Sequence, residues 1–173
     1  MTAKFKNQNG NTLVELVMVM MLLILFCVTM YSIIYAGSEA QTKITAQKDR
    51  QTDARVALAY IGNKLRQNDQ TGKISIEKNP VNGENAIVLR YRTEEEYYDM
   101  WIYQDGDTLY EFIGLADEPP DVTLSIAIVT IEGMNIEIAY DQAANSVKST
   151  LTYPYGKTEK TLSSLTHLRA AQW

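Results

Sequence analysis

Between Glu15 and Glu39 the chain carries no charge, so Leu16 to Ser38 is one uncharged and mostly apolar tract. A helix needs about 20 such residues to cross a bilayer. The tract therefore predicts a single membrane span, with residues 11–36 as the transmembrane half of a longer helix. Its most informative member is the carboxylate at its start, since Glu15 lies between Val14 and Leu16. A charge among apolar residues in lipid costs roughly 2.5–3.5 kcal/mol on insertion scales and usually has a partner. No basic residue lies within helical reach on the C-terminal side of Glu15, and Lys4 and Lys6 precede Gly10 in a segment rich in Asn and Gln. Cleavage after Gly10 would create an amino terminus at Asn11, four residues from Glu15. That amine, with a reference pKa of ~8, would be the missing cation.

Gly10, Asn11, Thr12, Leu13, Val14 and Glu15, preceded by Lys4 and Lys6 and followed by the apolar run, resemble the processing site of type IV prepilins and pseudopilins. The resemblance covers about the first 36 residues. It implies that a prepilin peptidase removes a leader of residues 1–10, that Gly10 is the cleavage residue, and that Asn11 is the new, methylated terminus. It further implies that Glu15 pairs with the amino terminus of a neighbouring pilin or pseudopilin subunit during filament assembly. An assembly platform protein and an ATPase would complete the machine, with membrane lipid the surroundings of the helix before assembly. Asn11 stands where major pilins usually carry Phe, and no Pro precedes Pro80, where many major pilins have one in this helix. Minor pilins and pseudopilins vary more at the position of Asn11, and the expectation is a minor pilin or pseudopilin.

A secretory signal has a shorter apolar core of about 7–15 residues with its cleavage site after it, which fits poorly. A signal-anchored extracytoplasmic binding or sensor module that never polymerises is the alternative the residues leave open. Lys4 and Lys6 flank the span with no acid among the first ten residues. The positive-inside rule then keeps the leader cytoplasmic and puts the C-terminal part outside the cytoplasmic membrane, at the cell surface or in a periplasm-spanning filament.

From 37 to 69 the sequence turns polar but keeps helix formers. Ala54, Leu58, Ile61 and Leu65 draw one apolar stripe along the helix, which Ile44, Gln47 and Gln51 extend more weakly. Within it, ARVALAYIGNKLRQND resembles the corresponding segment of Gram-positive minor pilins. Past Asp69 the pattern shifts to period two, the mark of half-buried strands. Ile74 and Ile76 suggest a short strand, and Ile87 to Tyr91 and Tyr98 to Ile102 suggest two more. Asp105 and Gly106 sit between strand-prone runs as a tight-hairpin dipeptide. Val122, Leu124, Ile126 and Ile128 predict one face of a strand that Glu132 and Gly133 turn into Met134 to Tyr140. Val147 to Tyr153 reads as strand, while 158–173 reads as either strand or helix. The expectation is an α+β fold in which one long N-terminal helix packs on an antiparallel sheet of about six or seven strands, with 70–173 as the globular domain. By the resemblance this is also the pilin shape.

Nothing in the pattern advertises catalysis. His167 is the only histidine and Cys27 the only cysteine. Cys27 lies in the apolar tract, where it reads as a buried filler and leaves no intrachain disulfide possible. No cofactor is expected. Asp105 and Asp107, with Glu94, Glu95, Glu96 and Glu111 near in sequence, are the carboxylates that would face Ca²⁺. A DGD turn is first of all a hairpin, however, and lacks the spaced oxygen ligands of a calcium loop, so no metal is assigned. The net charge is -5, and Lys and Arg form no stripe, which argues against nucleic acid as a partner.

Overall fold

The computed structural model describes residues 9–94, 96–116 and 118–170, with side chains from residue 13 onward. The leader cations Lys4 and Lys6 lie outside the described residues. The chain divides into two compact units, residues 1–46 and 47–173. Helix α1, Asn9–Gln67, contributes to both.

The first unit is helical throughout its described part. Val14, Val17, Val19 and Ile24 are middling helix formers in water. In lipid, though, a helix is the way a single segment can satisfy its own backbone. Every described large apolar side chain from Leu13 to Tyr35 is exposed.

In the second unit the helix has a buried stripe of Ala54, Ala57, Leu58, Ile61 and Leu65. Ile44 does not extend it and is 55% exposed, whereas Gln47 and Gln51 are half-buried. Burying an Ile or Leu side chain fully is worth ~1.5–3 kcal/mol, so this stripe is what fastens the segment. Lys64 and Arg66 in the last turn face the negative end of the helix dipole. The Asn68 side chain donates to the Lys64 carbonyl at 2.9 Å and closes the helix.

Eight strands follow: β1 Ile74–Lys78, β2 Asn85–Arg92, β3 Tyr97–Asp105, β4 Thr108–Leu115, β5 Ile126–Thr130, β6 Asn135–Asp141, β7 Ser146–Tyr155 and β8 Thr158–His167. The α+β class is as expected, but the strands form two antiparallel meanders: a five-stranded sheet, β1-β2-β3-β4-β5, and a three-stranded one, β6-β7-β8. Within the larger sheet, Ile87, Leu89, Met100, Ile102 and Leu109 share the main core with the helix stripe. The opposite face buries Ala86, Val88, Trp101, Tyr103 and Phe112, against which Val122 packs. Burial on both faces explains why β2 reads as a nearly unbroken apolar run. The smaller sheet lends Ile136, Ile138, Val147, Leu151 and Tyr153 to the main core from one face only.

The break between the sheets has a local cause. After β5 the chain turns at Gly133, whose φ of 70° suits glycine. The Asp107 carboxylate accepts the Gly133 N–H at 2.9 Å, and the Asp107 carbonyl accepts the Ile131 N–H at 2.9 Å. Gln104 then accepts the Ile136 N–H and donates to the Met134 carbonyl, both at 2.6 Å. Backbone groups that a β5–β6 hairpin would pair are thus taken by two side chains of the β3–β4 hairpin. Asn85 reinforces the join by donating to the Ile138 carbonyl at 2.8 Å.

One expectation is corrected, and one open alternative is settled. Val122–Leu124 is a 3-10 turn, not strand, because the Asp121 side chain caps it through the Thr123 N–H. Leu124 is accordingly 72% exposed. Residues 158–167 resolve as strand, paired along β7 from Ser146↔His167 to Tyr155↔Thr158.

Candidate functional site

The backbone of Gly10 and Asn11 lies in the first turn of α1. Glu15 is exposed and lines a shallow groove with Leu16, Val19 and Met20. Among the described residues no hydrogen bond or ion pair reaches its carboxylate.

Farther along, the Thr29 hydroxyl donates back to the Phe26 carbonyl at 2.8 Å, which satisfies a polar group that lipid could not. Cys27 is exposed on this same stretch. Tyr31 and Tyr35 stack with ring centroids 6.4 Å apart, and one turn later Glu39 and Lys43 pair at 2.7 Å. The Lys43 ammonium holds the Glu39 carboxyl below its ordinary range. Aromatic rings followed by a charged pair are compatible with the end of a membrane anchor. Among the described residues, α1 holds the one helix long and apolar enough to cross a membrane.

A second carboxylate, Glu111, behaves in the opposite way. It lies on the inward face of β4, between Leu109 and Ile113, and is buried. Lys64 meets it at 2.8 Å, and the Tyr60 hydroxyl donates to the same oxygen. Lys64 also lies 3.6 Å from the Met100 sulfur. Burial pushes the Glu111 carboxyl up and the Lys64 ammonium down, so the cost of leaving water outweighs their attraction at both groups. Sequence reasoning groups Glu111 with the calcium candidates and misses this cluster; an acid at an inward strand position is the signal that could have found it.

The calcium candidates are not brought together as ligands. Asp107 spends its carboxylate on the Gly133 N–H, and Asp105 closes the hairpin opposite Thr108 around Gly106, where φ is 54°. Glu111 faces Lys64 instead, and Glu95 lies outside the described residues. Among the described residues no group of three or more His, Cys, Asp and Glu side chains is placed to hold a metal. His167 is exposed at the end of β8.

No curated protein and no solved structure matches this chain. A family model does match residues 52–151, from the buried half of the helix through most of β7. By that match, which spans more than half of its length, the chain belongs to the family DUF4860, described as a domain of unknown function.

Proposed function

We propose that this protein is a structural subunit, a minor pilin or pseudopilin, of a type IV pilus-like or secretion- or competence-type filament. A prepilin peptidase removes residues 1–10, and the subunit then assembles through its N-terminal helix. The observation that carries this reading is Glu15, a carboxylate at the head of an uncharged helix with no partner among the described residues. Cleavage after Gly10 leaves an ammonium at Asn11, and the same group on a neighbouring subunit fits the Glu15 carboxylate. Packing of apolar half-helices in the filament offsets their extraction from lipid. The sheet domain then forms the outer wall, outside the cytoplasmic membrane.

Support comes from an apolar helix that nothing in the described chain covers, followed by an α+β domain with its own core. The family description assigns no activity and is compatible with this role. Mass spectrometry of the full chain co-expressed with a prepilin peptidase tests the proposal. Loss of residues 1–10 is expected, and a chain that still begins at Met1 returns the reading to a signal-anchored module. Glu15→Ala should leave insertion intact, or improve it, while reducing entry into filaments; normal incorporation would overturn the pairing.

A further inference from the structure

The charges of the soluble unit are sharply partitioned. From Thr93 to Val147 the chain carries thirteen carboxylates and no lysine, arginine or histidine. From Lys148 onward it carries three lysines, one arginine, one histidine and a single acid, Glu159. The acidic stretch forms β3 to β6 and the basic stretch β7 and β8. Several acids have partners within the chain: Asp99 with Arg90, Glu111 with Lys64 and Glu132 with Arg50. Glu118 and Asp121, just before β5, are exposed and pair with no cation among the described residues. Lys148, Lys157 and Arg169, around β7 and β8, are also exposed.

Apolar surface coincides with the acidic end. Ile126 is 62% exposed at the start of β5, the outer strand of its sheet. Its register partner is Glu111, so Ile113, two residues on along the same face of β4, is its diagonal neighbour. Ile113 is 54% exposed, and Leu115 and Leu124 add to the patch. Natural edge strands are normally guarded by charge. The β1 edge has Glu77 and Lys78, and the β6 edge is covered by Gln104 and Asn85. Strand β5 has no charged residue. Its extra residue, Ile128, where the register with β4 shifts, limits backbone pairing and leaves docking to side chains. The other outer strand is β8, on which Leu165 is exposed opposite Lys148 of β7.

We propose that the apolar, acid-rimmed β5 edge of one copy docks on the basic β7–β8 edge of a second copy of this chain. Like charges disfavour two β5 edges meeting, and they equally disfavour an anionic membrane surface at this patch. Opposite charges favour the head-to-tail pair. Because the two edges differ, such a contact is heterologous and propagates as an open chain instead of closing into a dimer. The inference goes beyond the function proposed above and does not depend on leader removal.

Cross-linking unprocessed full-length chains in membranes tests it, so its failure is distinguishable from a failure of cleavage. In a Cys27→Ser background, one tagged chain carries Ala127→Cys on β5 and a differently tagged chain carries Ser163→Cys on β8. A bis-maleimide with an arm long enough to span β8 covers any register. The mixed product is expected to exceed either same-type product by about tenfold. Ile126→Lys, at an exposed position, should reduce it by about the same factor, and added salt should weaken it. Dominant same-type products, equal yields of all three, or no product would each overturn the head-to-tail contact.

Discussion

Two stretches of one helix, residues 13–35 and 47–67, share one backbone geometry but distribute their apolar residues differently. The first is apolar on every side, and each of its large apolar side chains is exposed. The second is apolar along one stripe, and that stripe is buried in the domain core. Their carboxylate partners differ in the same way. Glu111, which meets the second stretch, finds Lys64 and Tyr60, while Glu15 in the first finds no partner among the described residues. Helix geometry is common to both, so the angular distribution of apolar residues tells whether a helix is completed by its own chain or by something else.

The sharpest way to break this comparison is to place one acid in each stretch. Ile61→Asp buries an uncompensated charge and should abolish the fold, a loss on the order of 5 kcal/mol. Leu23→Asp should leave the sheets intact and cost insertion roughly 2.5–3.5 kcal/mol. Urea unfolding followed by tryptophan fluorescence, beside membrane fractionation, separates the two. Equal damage to the sheets would erase the distinction.

Next in size is the pair that grips the second stretch. Lys64→Met strands the Glu111 carboxylate and should cost ~3 kcal/mol, while Lys64→Met with Glu111→Leu should recover most of that loss. A double variant no better than the single one would mean that the pair is not where the cost lies. Burial also gives this site a pH signature. Because the Glu111 carboxyl is held above its ordinary value of 4.5, native protein keeps a proton that unfolded chain has released just above that pH. Stability should therefore fall as pH rises from 4.5 through the raised value. Glu111→Gln, which cannot ionise, should flatten that fall in plots of urea midpoint against pH.

Smaller effects sharpen the picture of how the second unit holds itself together. Gln104→Ala removes the hydrogen bonds to the Met134 carbonyl and the Ile136 N–H and should cost ~1–3 kcal/mol, with hydrogen exchange rising first at Ile136. An unchanged exchange rate there would assign the join between the sheets to packing alone. Least of all, Glu132→Ala breaks the 2.8 Å pair with Arg50. The Glu132 side chain is 81% exposed, so the change should stay within ~1 kcal/mol in thermal melts.

Much of this architecture is legible without coordinates. The stripe from Ala54 to Leu65, the Gly106 hairpin and the period-two runs each depend on neighbours in sequence, where local geometry dictates the outcome. Val122 and Leu124 mislead because an Asp121 cap outcompetes an alternating pattern over so short a stretch. The candidate site divides along the same line. Gly10, Asn11 and Glu15 are visible as spacing, whereas Glu111 draws its meaning from Lys64 and Tyr60, both distant along the chain.

The sequence by itself determined that one helix passes from an all-round apolar character to a striped one and that strands follow, because side-chain periodicity is a local property of the backbone. Only the tertiary structure decided that the strands part into two sheets, that Gln104 and Asp107 take the backbone groups of a would-be hairpin, and that Glu111 is neutralised from within. Those outcomes rest on which polar groups meet after the core has closed. A buried hydrogen-bonding group must take whatever partner the packing leaves within reach.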